Sequence, residues 1–215
     1  MQRHTERLGP LSQTQRPVVL LVSGSPTSGS HTTATIEAAS RMLADLGADP
    51  SVWDLASQPL PIVDPSRHGD TDSYADPWAR RFTRLASEAD AFVIASPMYH
   101  GSFSGVVKNA LDHLDVTPLA AKPTALVAHG ANLSAVQVCD ALRTVVRALR
   151  GIALPEQLAT VPTDFERSAD GRRVLRGALA RQRLHDLCTA LVVTAERLRA
   201  PAPAPRPGLY RATRV

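Results

Sequence analysis

SPMYHGSFSGVVKNALDHL, residues 96–114, joins the end of an apolar segment to the start of a helix. Residues 91–96 are small or apolar, which is typical of a buried strand, and residues 104–114 have the composition of a helix. We expect that the turn between them cannot pair all of its main-chain N–H and C=O groups internally, so that a planar polar ligand can use them. This turn consists of Pro97, Met98, Tyr99, His100, Gly101 and Ser102.

Strand-like and helix-like segments alternate on both sides of this turn. Right-handed crossovers in such an alternation pair the strands in parallel and place helices on both faces. We therefore predict an α/β fold, a flavodoxin-like doubly wound five-stranded parallel sheet of order 2-1-3-4-5. The predicted strands are residues 17–23, 50–55, 91–96, 124–129 and 157–161, and the predicted helices are residues 32–46, 77–88, 104–114, 134–150 and 169–198.

A second unusual loop, GSPTSGSHTT at residues 24–33, follows the first predicted strand. Hydroxyl groups of Ser25, Ser30 and Thr32, together with the start of the next helix, indicate a phosphate cradle. A triphosphatase P-loop is disfavoured because Ser30 stands where its lysine belongs. The loop alone is equally well explained as a Ser/Thr-rich turn with a helix cap. The position of this loop favours a binding site, because strands one and three are expected to end next to each other at the point where such sheets bind ligands.

These two motifs resemble those of the NAD(P)H-dependent FMN reductase family, and the resemblance spans about residues 18–161. It implies that the first loop holds the FMN 5′-phosphate, that the second supports the flavin ring, and that the loop after strand four lies along the ring's other edge. It also implies NADPH or NADH as hydride donor and a homodimer or homotetramer. Besides residues 97–102, the implied FMN-binding residues are Ser25, Thr27, Ser30, His31, Thr32, His129 and Gly130.

The family resemblance implies a flavoprotein oxidoreductase that passes a hydride from the nicotinamide to FMN N5 and on to a quinone, azo dye, free flavin or dioxygen. The flavin carries the chemistry, so we assign no catalytic side chain and no metal ligand. Three alternatives remain open: a flavodoxin-like electron carrier, a scaffold or interaction protein that keeps the fold without FMN, and an FMN-dependent oxidoreductase dedicated to one biosynthetic intermediate. The formal net charge of +4 disfavours the carrier, because flavodoxins are usually strongly acidic.

Thr27 departs from the family pattern, because phosphate loops of the family often carry an arginine at this position. We expect phosphate affinity either to be reduced or to be supplied by His31 or by a group from elsewhere in the chain. Residues 136–140 lack the tyrosine insertion of some two-component members, which favours tightly held FMN. The polar loop at residues 56–76 is the expected determinant of acceptor specificity.

Composition is typical of a globular protein, with 44% hydrophobic and 20% charged residues in 215. We predict a flexible tail at residues 1–15, one FMN-binding domain at 16–200, and a Pro-rich tail at 201–215. Because residues 1–15 resemble no secretion signal and no apolar run is long enough for a membrane span, we expect a cytoplasmic protein without a membrane partner. Cys139 and Cys188 are expected to be buried thiols, and the basic C-terminal part matches no nucleic-acid-binding module.

Overall fold

The predicted parallel sheet is confirmed by a computed structural model, which describes residues 16–67 and 74–199. Five strands pair in parallel in the order β2-β1-β3-β4-β5, so the strand order reverses between β1 and β3. The strands are β1 (Val18–Ser23), β2 (Asp49–Asp54), β3 (Ala91–Pro97), β4 (Pro123–His129) and β5 (Ile152–Thr160).

Helices cover both faces of this sheet, as the alternation of elements predicts. Successive residues of β1 point to opposite faces: Val19 and Leu21 join one buried cluster, and Leu20 and Val22 join the other. Helices α1 and α5 pack on the first face, and α2, α3 and α4 pack on the second. The helices are α1 (His31–Asp45), α2 (Pro77–Glu88), α3 (Gly105–Asp112), α4 (Val136–Ala148) and α5 (Ala178–Arg199).

Gly24 lies where the end of β1 comes closest to β3 and α3. Its N–H donates to the Ala95 carbonyl at 2.8 Å. A Cβ atom at this position would lie 2.4 Å from the Ala95 oxygen and 2.1 Å from Val107 Cγ2. The close approach therefore requires glycine, and it sets the spacing between the loops that follow β1 and β3.

Strand β5 begins earlier than predicted, at Ile152 instead of residue 157. The predicted start was wrong because proline usually interrupts a strand, and Pro155 lies in this segment. The structure accommodates Pro155 where the pairing register shifts between Thr124 and Leu126 of the neighbouring strand β4. Arg143 of α4 satisfies the irregular backbone: its guanidinium donates to the Leu154 carbonyl at 2.6 Å and to the Pro155 carbonyl at 3.1 Å.

The predicted helix at residues 169–198 begins only at Ala178, and a hairpin precedes it. Strands β6 (Phe165–Arg167) and β7 (Arg173–Leu175) pair antiparallel across a turn in which Gly171 has a φ of +79°. A helix cannot run through this turn. The dipeptide Asp170-Gly171 is a hairpin signal that was available in the sequence. The hairpin reaches the ligand-binding edge of the sheet, so its position matters for function.

The loop after β2 is fastened to α3. Asn109 Oδ1 accepts from the Val63 N–H at 3.0 Å, and Asn109 Nδ2 donates to the Pro61 carbonyl at 2.8 Å. His113 Nε2 lies 2.9 Å from the Pro61 carbonyl oxygen, which can only accept. Helix α3 therefore holds the loop after β2, and the same helix comes directly after the loop at residues 97–102 in the chain.

The predicted tails, residues 1–15 and 201–215, fall outside the described residues, and no described helix is long and apolar enough to cross a membrane.

We expect Gly24→Ala to lower the free energy of unfolding by about 1–3 kcal/mol, because the added methyl overlaps Val107 and the β3 backbone. Gly105→Ala is the matched control: no atom lies within 4 Å of its added Cβ, and alanine favours a helix start. Urea denaturation followed by circular dichroism measures both variants. Equal stability of the two variants would contradict the close-approach argument.

Candidate functional site

A cavity of about 310 Å³ opens at the carboxyl ends of β1, β3 and β4, at the point where the strand order reverses. This is the position at which doubly wound sheets bind their ligands. Ten of its lining residues are among those predicted from the sequence. The lining consists of Ser25, Thr27, Ser30, His31, Thr32, Pro97, Met98, Tyr99, His129, Gly130, Ala131 and Arg173.

Three predicted binding residues, His100, Gly101 and Ser102, lie outside this lining. They belong to a two-residue hairpin that is closed by Tyr99 and Ser102. Its central residues, His100 and Gly101, have φ values of +51° and +79°. The Tyr99 N–H donates to the Ser102 carbonyl at 2.9 Å, and the Ser102 N–H donates back at 3.1 Å. Their assignment to FMN binding stays a prediction.

We expected that this turn cannot pair all of its main-chain groups internally, and the structure shows which of them are paired. Besides the Tyr99 and Ser102 pair, the Met98 N–H donates to the His129 carbonyl at 2.7 Å. The sequence shows a turn after β3, but it does not show that Gly101 closes the turn upon itself. Three residues of this turn line the cavity, namely Pro97, Met98 and Tyr99, and Tyr99 is 45% exposed.

The loop after β1 uses two of its predicted hydroxyl groups to hold its own shape. Ser30 caps α1, since its Oγ accepts from the Thr33 N–H at 3.1 Å. Ser25 Oγ accepts from the Thr27 N–H at 3.1 Å. These contacts fix the loop and leave the side chain of Thr27 exposed at its outer edge.

Thr32 is the predicted cradle residue whose hydroxyl has no partner. The residue is 2% exposed, and its Oγ1 makes no hydrogen bond within the described part of the chain although it is buried. The Thr33 and Ala34 N–H groups are taken by Ser30, so the first turn leaves the N–H groups of His31 and Thr32 without a partner inside the helix. An orphaned hydroxyl beside an open helix start fits a bound anion.

Two histidine rings stack inside the cavity. The rings of His31 and His129 lie 4.2 Å apart at 18°, and the edge of Phe165 from β6 contacts both. The Thr160 hydroxyl donates to the Ala128 carbonyl, so its oxygen accepts from His129 Nδ1 at 3.0 Å. This hydrogen-bond chain sets the tautomer of His129 with the proton on Nδ1.

Both histidines are held in their neutral form. Burial first, and then the nearby His31 and Arg173, lower the pKa of His129 to about 4, although Asp164 acts to raise it. Burial, followed by the charges of Arg173 and Arg167, also lowers the pKa of His31. Neither imidazole therefore contributes a positive charge to this cavity near neutral pH.

Arg173 is the lining residue that sequence reasoning missed. It lies on β7, and its Nη1 donates to the Gly29 carbonyl of the β1 loop at 2.7 Å. Among the described lining residues it carries the one permanent positive charge. The dipeptide Asp170-Gly171 indicates the hairpin on which Arg173 lies. The prediction of a helix over residues 169–198 did not take this dipeptide into account.

The two predicted loops are joined directly beneath the cavity. Ser104, the cap of α3, donates its hydroxyl to the Gly24 carbonyl at 2.6 Å, and its N–H donates to Ser96 Oγ at 2.9 Å. Both serines are buried. Within residues 16–67 and 74–199 no group of three or more His, Cys, Asp or Glu side chains is arranged to hold a metal ion.

The sheet order, the helix start that fits an anion and the cleft at the switch point define a flavodoxin-like protein. The sequence matches the family described as NADPH-dependent FMN reductase over residues 17–166. The chain belongs to this family, which makes it an NAD(P)H-dependent oxidoreductase with FMN as its cofactor.

Named relatives agree with this assignment. The chain is 40% identical over 153 residues to an FMN-dependent NADPH-azoreductase of Staphylococcus saprophyticus, which covers 71% of this chain and 81% of that protein. A protein of the same description from Staphylococcus haemolyticus is 34% identical over 152 residues, with the same coverage of both chains. The fold is similar to that of FerB, a flavoenzyme NAD(P)H:(acceptor) oxidoreductase from Paracoccus denitrificans, with a TM-score of 0.66, 18% identity, and coverage of 85% of this chain and 98% of that one.

We expect the pKa of His129 to be measured near 4 in the flavin-free protein, far below its ordinary value of 6.5. Because the unfolded chain binds a proton more readily, stability should be complete above about pH 6.5 and decrease as the pH falls towards about 4. Imidazole NMR titration gives the pKa, and urea denaturation across this range gives the stability. His129→Phe, which keeps a ring but cannot titrate, should weaken this pH dependence. A His129 that titrates near 6.5 would refute the desolvation argument.

Proposed function

We propose that FMN binds in the cavity at the switch point, with its 5′-phosphate at the start of α1. The observation that carries this proposal is the buried Thr32 hydroxyl, which has no partner within residues 16–67 and 74–199, because a phosphate oxygen supplies the missing acceptor. Open N–H groups of the first turn and the positive end of the helix add to the attraction. Ser25 and Ser30 support the loop shape, and Thr27 and His31 border the same space.

The flavin ring is proposed to lie between the loops that follow β3 and β4. Pro97, Met98 and Tyr99 line one side of the cavity, and His129 and Gly130 line the other. Gly130 has no room for a side chain, since a Cβ would lie 2.9 Å from Ala135 Cβ. The close packing of this loop against Ala135 therefore requires glycine at position 130.

The hairpin tip next to Tyr99 is proposed to meet the polar edge of the ring. In a two-residue hairpin the N–H groups of the two central residues, here His100 and Gly101, are not used by the strand pairing. Donors at the edge of the ring stabilise the negative charge that develops there on reduction. The Ser102 hydroxyl is the side-chain contact proposed for the same edge.

FMN held by the loops after β1, β3 and β4 would supply the redox chemistry, which is hydride acceptance from the nicotinamide and electron transfer to an acceptor. The chain's own residues bind and orient the cofactor. His129 has no second proton to donate near neutral pH, because its pKa is about 4, and its Nδ1–H is already bonded to Thr160. No side chain is therefore assigned a catalytic proton transfer.

We propose azo dyes, quinones, free flavins and dioxygen as the electron acceptors. NADPH is the first hydride donor to test, and NADH is the second. The support for azo dyes is the name of the staphylococcal relatives. The loop after β2, held to α3 by Asn109, is proposed to contribute to acceptor choice. The proposed FMN-binding domain covers residues 16–200.

We assign the protein to a homodimer or homotetramer in the cytoplasm as part of the same proposal. Two apolar side chains on the loops beside the cavity are exposed, Tyr99 by 45% and Leu133 by 61%, and a second copy can cover them. The free thiols of Cys139 and Cys188 suit a reducing compartment. Light scattering on the purified protein measures the assembly.

A visible spectrum followed by anaerobic mixing with each nicotinamide tests the activity. We expect bound FMN that NADPH or NADH bleaches and that an azo dye or quinone reoxidises. Flavin that stays oxidised with both nicotinamides would indicate a flavodoxin-like carrier instead. Turnover restricted to one specialised acceptor would favour the oxidoreductase dedicated to a biosynthetic intermediate.

Thr32→Val should weaken FMN binding by about 5- to 20-fold, because it removes the orphaned hydroxyl while keeping the side-chain shape. Thr35→Val is the matched control on the same helix. Thr35 is also buried, but its hydroxyl donates to the His31 carbonyl and it does not line the cavity. Fluorescence titration of the flavin-free variants measures both. An equal effect of the two substitutions would contradict the phosphate contact.

A further inference from the structure

The phosphate loop contains no positive charge of its own. Residues 24–33 include neither lysine nor arginine, and Thr27 is exposed at the outer edge of the loop. A phosphate monoester carries about 1.5 to 2 negative charges at neutral pH, and a helix start supplies only about half a positive charge. A cation from another part of the chain would neutralise the remaining charge.

His31 cannot supply this charge, although it is the first residue of α1. Its ring is stacked on His129 at 4.2 Å and contacts Phe165. Burial and the charge of Arg173 both lower its pKa, so the neutral form dominates near neutral pH. The sequence suggested two sources of positive charge, His31 and a group from elsewhere in the chain. Because His31 is neutral, the second source remains.

We propose that Arg173, on the β6–β7 hairpin, is the cation that binds the FMN 5′-phosphate in place of a loop arginine. This inference rests on the proposed FMN site. Arg173 lines the same cavity as Thr32 and Ser30, and its Nη1 is held 2.7 Å from the Gly29 carbonyl. One guanidinium N–H makes this contact, and the fork has five, so others can reach a phosphate oxygen.

The hairpin that carries Arg173 is fixed at its base by two sets of contacts. The Asp164 carbonyl accepts from the N–H groups of Arg176 and Gly177 at 2.8 and 2.9 Å, which ties the end of β7 to the start of β6. Phe165 packs its ring against the stacked histidines. The guanidinium is therefore anchored to the phosphate loop at its head and to the sheet edge through its strand, so little reorganisation is needed on binding.

The test compares FMN with riboflavin, which has the same ring but no phosphate. Flavin-free protein is titrated with each ligand by fluorescence, using Arg173→Ala, the near-isosteric Arg173→Gln, and Arg172→Ala. Arg172 is the matched control because it lies next in the hairpin but pairs with Asp170 at 2.7 Å and does not line the flavin cavity. Thermal melts followed by circular dichroism establish that each variant is folded.

We expect both Arg173 variants to weaken FMN binding by about 10- to 100-fold and riboflavin binding by less than 2-fold, with Arg172→Ala unchanged for both ligands. Adding Thr27→Arg to Arg173→Ala should recover part of the FMN affinity, because it returns a cation to the loop. FMN affinity within 2-fold of wild type in both Arg173 variants, or an equal loss for FMN and riboflavin, would overturn the inference. A wild-type protein that binds neither flavin would instead overturn the proposed function.

Discussion

The contact between Gly24 and the β3–α3 connection is the constraint on which the site depends. The Gly24 N–H is bonded to Ala95 and its carbonyl to the Ser104 hydroxyl, so both polar groups of one residue hold the first loop against the second. A side chain at position 24 would separate them. Because Ser104 also caps α3, the spacing of the two loops and the start of that helix are set by the same small group of buried atoms.

This constraint explains why the β1 loop combines a rigid shape with an open binding position. Ser25 and Ser30 satisfy the N–H groups of Thr27 and Thr33, which fixes the turn and the first residues of α1. The buried Thr32 hydroxyl has no partner among the residues that the structure describes, and such a group costs stability when no ligand is bound. The loop thus uses local hydrogen bonds for structure, and the proposed contact of Thr32 with an anion would recover that cost.

The sequence predicted the parts of this molecule that depend on local patterns and on chain connectivity. The strand order and the two loops after β1 and β3 follow from apolar runs and from the rule that places ligands at a switch point, and the loop after β4, with His129 and Gly130, follows from the family resemblance. Arg173 could not be placed in this way, because its hairpin contacts Gly29 across a separation of 144 residues. The self-pairing of Tyr99 with Ser102 was missed because it depends on two consecutive left-handed residues, one of which, His100, is not glycine.

The position of the positive charge has a structural consequence for the fold as a whole. An arginine in the β1 loop would serve the phosphate without involving any later part of the chain. Arg173 instead lies between β5 and α5, and the Gly177 N–H that ends its hairpin bonds to Asp164 immediately before α5 begins. A ligand that binds Arg173 and α1 together therefore joins the first helix to the segment that leads into the last one. Since α1 and α5 share one face of the sheet, the proposed contact of a ligand with Arg173 and α1 would stabilise the packing of these two helices against each other.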